Sequence, residues 1–252
     1  MPKMKQKSIV TLLLDRSGSM QSVKAQTVEA INAWISELRK AKDDMRFTLV
    51  QFDAYHGGNQ ASGSSAVPSG FPAGLVLGGM SGKGVLSMHG SETMCLEKTI
   101  DMKPVSDVPD LTESDFMPRG STPLIDAAVS TIRAIEETVS GRDDIKVILA
   151  IQTDGFENSS IENDWTTLQS LVKEKEAIGW EILFMGAGID AYSQAGMMGV
   201  SRDKTLSYGK DRAATRSAFS STASKSVLYA SGAAQSMAYT DAEKLAAGDS
   251  YK

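Results

Sequence analysis

Short runs of consecutive apolar residues alternate along this chain with longer segments in which apolar residues recur every three or four positions. Residues 8–14, containing Ile9-Val10-Thr11-Leu12-Leu13-Leu14, form one continuous run and Ile145–Ile151 another. This is the pattern of central parallel strands covered on both faces. Arg46–Phe52 alternates and is rich in β-formers, which predicts a second strand ended by Asp53. Thr93–Glu97 alternates as a strand does, and Glu181–Met185 predicts a further inner strand. Between them, Val28, Ile31, Ile35 and Leu38 make one stripe, broadened by Trp34, along a helix over Lys24–Lys40. Thr122-Pro123 opens a helix with Leu124, Ala128, Ile132, Ile135 and Val139 on one face and Gly141 as its stop. Trp165–Ile178 predicts another, closed by Gly179; a short helix follows Gly186-Ala187-Gly188, and Thr215–Ala230 is the last. The fold class is α/β: a doubly wound, mostly parallel central sheet with helices on both faces.

Two stretches break the pattern. Residues 56–92 hold ten glycines and several serines with no sustained period, so they read as a Gly/Ser-rich insertion. Within it, Gly74–Gly78 and Gly84–Met88 could add a hairpin to the sheet edge. Residues 233–252 are small and polar and read as a surface tail. Pro104–Arg119 carries three prolines and reads as an extended connection, with one helical turn at Thr112–Phe116. The organisation predicted is therefore a single domain over residues 1–232, with the insertion inside it and a tail behind.

Composition narrows the function classes. The chain has 252 residues, 41% hydrophobic and 23% charged, ordinary for a globular domain with a sizeable core. A net charge of −5 without a Lys/Arg cluster argues against nucleic-acid binding. The apolar stretch behind Lys3, Lys5 and Lys7 ends at Asp15, too short for a secretory signal, and no run approaches a membrane span. One cysteine, Cys95, excludes an internal disulfide. A cytoplasmic protein without membrane contact is the expectation.

The chemistry lies at the ends of the strands. Asp15-Arg16-Ser17-Gly18-Ser19 follows the first strand and places three oxygen-bearing side chains on a tight loop, half of a site for a hard divalent cation. Two other loops at the same sheet end could complete it: Gly120-Ser121-Thr122-Pro123 and Thr153-Asp154-Gly155. Each alone has an ordinary explanation. Asp, Ser and Gly suit turns, Thr-Pro suits a helix start, and Asp-Gly suits a turn; their joint occurrence in order on three strand-end loops favours metal. Arg16 reads as solvated, and Glu157 as facing solvent or holding a water ligand. His56 and His89 border the insertion as ordinary loop histidines, and Cys95 has no CxxC partner. Gly186-Ala187-Gly188 lacks the third glycine and the acidic residue of a dinucleotide loop.

These three loops resemble the von Willebrand factor type A (VWA) family, whose metal-ion-dependent adhesion site has the pattern Asp-x-Ser-x-Ser, a distant Thr and a later Asp-Gly. The resemblance spans most of residues 8–232 and is similar to bacterial and phage single-domain members, with Arg119-Gly120-Ser121-Thr122-Pro123-Leu124 before the second large helix. It implies that Ser17, Ser19 and Thr122 offer hydroxyl oxygens to the metal and that Asp15 and Asp154 bind directly or through water. It implies Mg²⁺, with Mn²⁺ as a substitute, and a partner protein that supplies an Asp or Glu to the metal. It also implies one antiparallel edge strand on the mostly parallel sheet, at Thr93–Met102, and the long insertion before that strand departs from the family. A structural or assembly role with an unused site is the alternative. A phosphoryl hydrolase is less favoured, because Ser17 stands where Asp-x-Asp would need its second acid, and no His or phosphate-cradle Lys accompanies the loops. The chain is therefore not expected to be an enzyme.

Overall fold

The computed structural model describes residues 7–41, 43–56 and 92–251, excluding the side chains of His56 and Glu92. The hairpin expected at residues 74–88 and His89 lie outside the described residues.

Six strands form one sheet: β1 (Lys7–Asp15), β2 (Asp44–His56), β3 (Glu92–Pro104), β4 (Ile145–Thr153), β5 (Glu181–Ala187) and β6 (Thr205–Tyr208), in spatial order β3-β2-β1-β4-β5-β6. β1 pairs parallel with both β2 and β4, and β3 lies antiparallel on β2. The mostly parallel sheet is as the hydrophobic pattern predicted, and the antiparallel edge strand is as the family resemblance implied. β2 runs beyond Asp53 to His56, so Asp53 sits within a strand rather than ending it.

The helices are α1 (Lys24–Lys40), α2 (Leu124–Val139), α3 (Trp165–Ala177), α4 (Ala191–Met198), α5 (Arg212–Ala230) and α6 (Asp241–Ala246). Alternate strand residues feed two cores. Val10, Leu12, Leu14, Phe47 and Leu49 join Trp34 of α1 and Phe219 of α5 on one face. Leu13, Val50, Phe52 and Leu149 join Leu124 and Ile132 of α2, Leu168 of α3 and Met198 of α4 on the other. Right-handed crossovers require this division, because the chain steps outward from β1 toward β2 and later outward from β4 toward β5, in opposite directions. The switch of direction falls between β1 and β4, where an open α/β sheet leaves a crevice at its carboxyl end.

Two elements differ from the hydrophobic reading. β6 alternates polar and apolar residues, yet Thr205, Leu206, Ser207 and Tyr208 are all buried. The two hydroxyls are satisfied by backbone carbonyls, Thr205 donating to Ser201 (2.8 Å) and Ser207 to Ile189 (2.5 Å). The stretch expected to be a surface tail contains α6, and Met237, Tyr239 and Ala247 are buried in the α1/α5 core. Among the described residues no helix is long and apolar enough to cross a membrane.

Candidate functional site

The loops after β1 and β4 meet at the switch point, and the loop before α2 closes on them from the β2 side. Backbone hydrogen bonds bring together the first loop, after β1, the second, before α2, and the end of β2. The Arg16 amide donates to the Phe52 carbonyl (2.8 Å), that of Arg119 to the Arg16 carbonyl (2.7 Å) and that of Gly18 to the Gly120 carbonyl (3.0 Å). Ser121 and Ala54 exchange two further bonds of 2.8 and 3.1 Å. Gly120 makes this approach possible. Its φ is +66°, and a Cβ there would stand 2.0 Å from the Ala54 carbonyl oxygen.

A buried ion network braces the same region. The Asp53 carboxylate, wholly buried, accepts from Arg16 Nη2 (3.0 Å) and Arg119 Nε (2.5 Å), while Arg16 Nη1 reaches Glu97 (2.5 Å). Arg16 is therefore not solvated: only 5% of it is exposed. Burial works against its charge, but Asp53 and Glu97 outweigh that cost and raise its pKa. Cys95 lies 3.4 Å from Arg16 Nη2, and burial, aided by Asp53, pushes its thiol pKa up.

The third loop is organised by two carboxylates. Glu157 accepts from the amides of Ile125 (2.8 Å), Ser159 (2.8 Å) and Ser160 (2.7 Å), so it ties its own loop to the start of α2 instead of facing solvent. Asp126 accepts from the amides of Ile161 (2.7 Å) and Asn163 (2.8 Å). Thr122 is held between the loops, its amide donating to Asn158 Oδ1 (2.8 Å) and its carbonyl accepting from the Asn158 amide (3.1 Å). The helix start uses no hydroxyl cap, since Pro123 takes the capping position of α2. The ordinary Thr-Pro explanation thus does not account for the Thr122 side chain.

Within this frame the candidate residues converge. Asp15 is buried; its Oδ1 accepts from the Ser17 amide (2.6 Å) and its Oδ2 from the Thr153 hydroxyl (2.6 Å). Burial pushes its pKa up to about 6, against the lowering effect of those bonds, and neighbouring Asp154 adds to the rise. Ser17 Oγ and Ser19 Oγ are 3.0 Å apart, and Ser19 donates to Asp154 Oδ1 across the switch point. Lys210, on the turn between β6 and α5, donates to Asp154 Oδ2 (2.8 Å). Sequence reading missed Lys210, which lies 56 positions from Asp154 along the chain. A Cβ on Gly155 would stand 3.4 Å from Thr122 Oγ1 and 3.8 Å from Ser19 Oγ. Both hydroxyls therefore border the same small gap, which is open because residue 155 is glycine.

The donor set at this gap is all oxygen, two carboxylates and three hydroxyls, which suits a hard divalent cation. Among the described residues no group of three or more His, Cys, Asp and Glu side chains is placed to hold a metal; a cation here would depend on the hydroxyls as well. The Lys210 ammonium already lies against one of these carboxylates as a tethered monovalent cation.

The sequence matches no family model and no curated protein sequence. Solved structures do match. The open conformation of the pilus adhesin SpaC from Lactobacillus rhamnosus GG has a TM-score of 0.60 at 12% identity, covering 91% of this chain and 31% of that one. Proximal thread matrix protein 1 from the mussel byssus has a TM-score of 0.53 at 14% identity, covering 85% and 46%. The chain thus spans less than half the length of either. At such identities the likeness concerns the fold. With the strand order and the single antiparallel edge, it gives this chain a VWA-like α/β fold.

Proposed function

We propose that this chain is a protein-interaction module that binds an acidic side chain of its partner through a divalent cation, Mg²⁺ or Mn²⁺, held by Asp15, Ser17, Ser19, Thr122 and Asp154. The observation that carries the reading is the Ser19–Asp154 contact, which joins the loops after β1 and β4 beside the Gly155 gap that Thr122 also borders. A cation bound directly by the neutral hydroxyls, with the carboxylates acting through water, would keep much of its positive charge and so supply an attachment point for a carboxylate from outside.

The chain's own residues do the rest. The Ser17 amide and Thr153 hydroxyl fix both oxygens of Asp15, so the loop is set before any ligand arrives. The Asp53 network holds the first and second loops in register. Phe156, immediately after Gly155, is 51% exposed and Met117 is 57% exposed, which adds apolar surface to the face that would meet a partner. The structural neighbours are named as an adhesin and a matrix protein, not as enzymes, which agrees with a binding role.

A displayed library of random peptides, panned on the immobilised protein in Mg²⁺ and eluted with chelator, tests the reading. Recovered peptides should share an Asp or Glu and should fail to bind the Asp154→Ala variant. Peptides without acidic enrichment, or retained in chelator, would contradict it.

A further inference from the structure

Lys210 is built into the candidate site as deliberately as the oxygen donors. Its Nζ lies 2.8 Å from Asp154 Oδ2, the oxygen not taken by Ser19. The side chain of Asp154 is wholly buried, whereas that of Lys210 is 41% exposed. The ammonium therefore comes from the solvent side and can leave toward it.

Two features aim the side chain. Its backbone carbonyl accepts from Gln26 Nε2 of α1, which anchors the turn between β6 and α5. Its stem lies against Gly188, where φ is +66° and a Cβ would stand 2.8 Å from both Lys210 Cγ and Cε. Gly186-Ala187-Gly188, which resembled a fragment of a dinucleotide loop, is thereby explained without a nucleotide. Gly186 leaves room for Ala191 and Ile189, and Gly188 leaves room for the stem of Lys210.

We infer that Lys210 is a resident counter-cation of Asp154 that sets the affinity of the site for divalent ions. The inference rests on the metal-binding reading above. Asp154 Oδ2 already accepts from one positive charge, and a divalent ion placed among Asp15, Ser19 and Asp154 must either bind beside that ammonium or displace it. Either course costs binding free energy through like-charge repulsion or through loss of the ion pair. Lys210 thus raises the divalent concentration at which the site fills, and once displaced its ammonium stands at the lip of the site, where an incoming carboxylate would meet it. Removal of the charge should favour the metal; Arg at the same position should not.

The test counts free Mn²⁺ by electron paramagnetic resonance during titration of the chelated 252-residue chain, with wild type, Lys210→Met, Lys210→Arg and Asp154→Ala compared. Met keeps the stem against Gly188, and circular dichroism checks that each variant is folded. Lys210→Met is expected to bind Mn²⁺ about tenfold more tightly than wild type, the size of effect one nearby charge exerts at a half-exposed site, with Lys210→Arg close to wild type. Equal affinity in wild type and Lys210→Met, alongside loss in Asp154→Ala, would overturn the role of Lys210 and leave the metal-binding reading standing. Weaker binding by Lys210→Met would overturn it too, because Lys210 would then be positioning Asp154 for the metal. Absence of Mn²⁺ binding by all four proteins would overturn the metal-binding reading and this inference with it.

Discussion

Asp53 and Asp154 are both buried carboxylates near the carboxyl end of the sheet, and both are paired with a cation, yet they are built for opposite ends. Asp53 is held by two guanidiniums, that of Arg16, which is 5% exposed, and that of Arg119, whose side chain is 47% exposed, and these in turn reach Glu97 and Cys95. Asp154 has one hydroxyl and one half-exposed ammonium, and faces a gap. A buried charge with an enclosed partner, as Asp53 has in Arg16, is costly to disturb, since removal of either leaves the other uncompensated. A buried charge whose partner can swing into water can exchange that partner for another cation without leaving either charge buried and uncompensated. The first arrangement braces a site; the second is suited to being one.

The sharpest way to break this contrast is to remove each carboxylate in turn. Asp53→Ala should destabilise the fold by about 3–5 kcal/mol, because Arg16 would keep its burial and lose its main counter-charge. Urea unfolding measures it, and a loss below about 1 kcal/mol would mean that the Asp53 network is as loose as the Asp154 pair. Gly120→Ala should cost about 1–3 kcal/mol in the same assay, through its left-handed backbone and the collision with the Ala54 carbonyl. Asp154→Ala should shift stability by less than about 1 kcal/mol in chelator. In Mg²⁺ the wild type alone should gain stability, about 2.7 kcal/mol at a hundredfold excess over Kd, and differential scanning calorimetry would show the two proteins diverging only when metal is present. Thr122→Ala should lower metal affinity with the fold kept, since its hydroxyl borders the Gly155 gap without capping α2. The smallest effect concerns Cys95 inside the Asp53 network. Its raised pKa leaves it more fully protonated than a free cysteine at pH 8, so alkylation there should be slower, and faster labelling would show the network to be open.

The sheet was legible because β1 and β4 are continuous apolar runs and β2 alternates, and the loops of the candidate site because each follows or precedes a regular element directly. What escaped the sequence depended on distant partners or on polar residues that are buried. Arg16 sits in a turn of polar residues that local reading assigns to solvent; its partners Asp53 and Glu97 are 37 and 81 positions away. β6 was missed because Thr205 and Ser207 are polar, and their burial is compensated by carbonyls of neighbouring segments. The last helix did carry a local signal. Thr240 and Glu243 form a reciprocal capping box ahead of α6, the T-x-x-E pattern that opens a helix, and a reading led by apolar periodicity passed over it. Lys210 had none, because its role follows from the packing of its stem on Gly188.

The most direct measurement is calorimetric titration of the chelated protein with Mg²⁺, run beside Asp154→Ala and Asp53→Asn. The account predicts saturable binding of one ion to wild type, loss of it in Asp154→Ala, and retention in whatever fraction of Asp53→Asn remains folded. Binding of equal strength in wild type and Asp154→Ala, or no binding in wild type, would contradict the assignment of Asp154 as the exchangeable carboxylate of this fold.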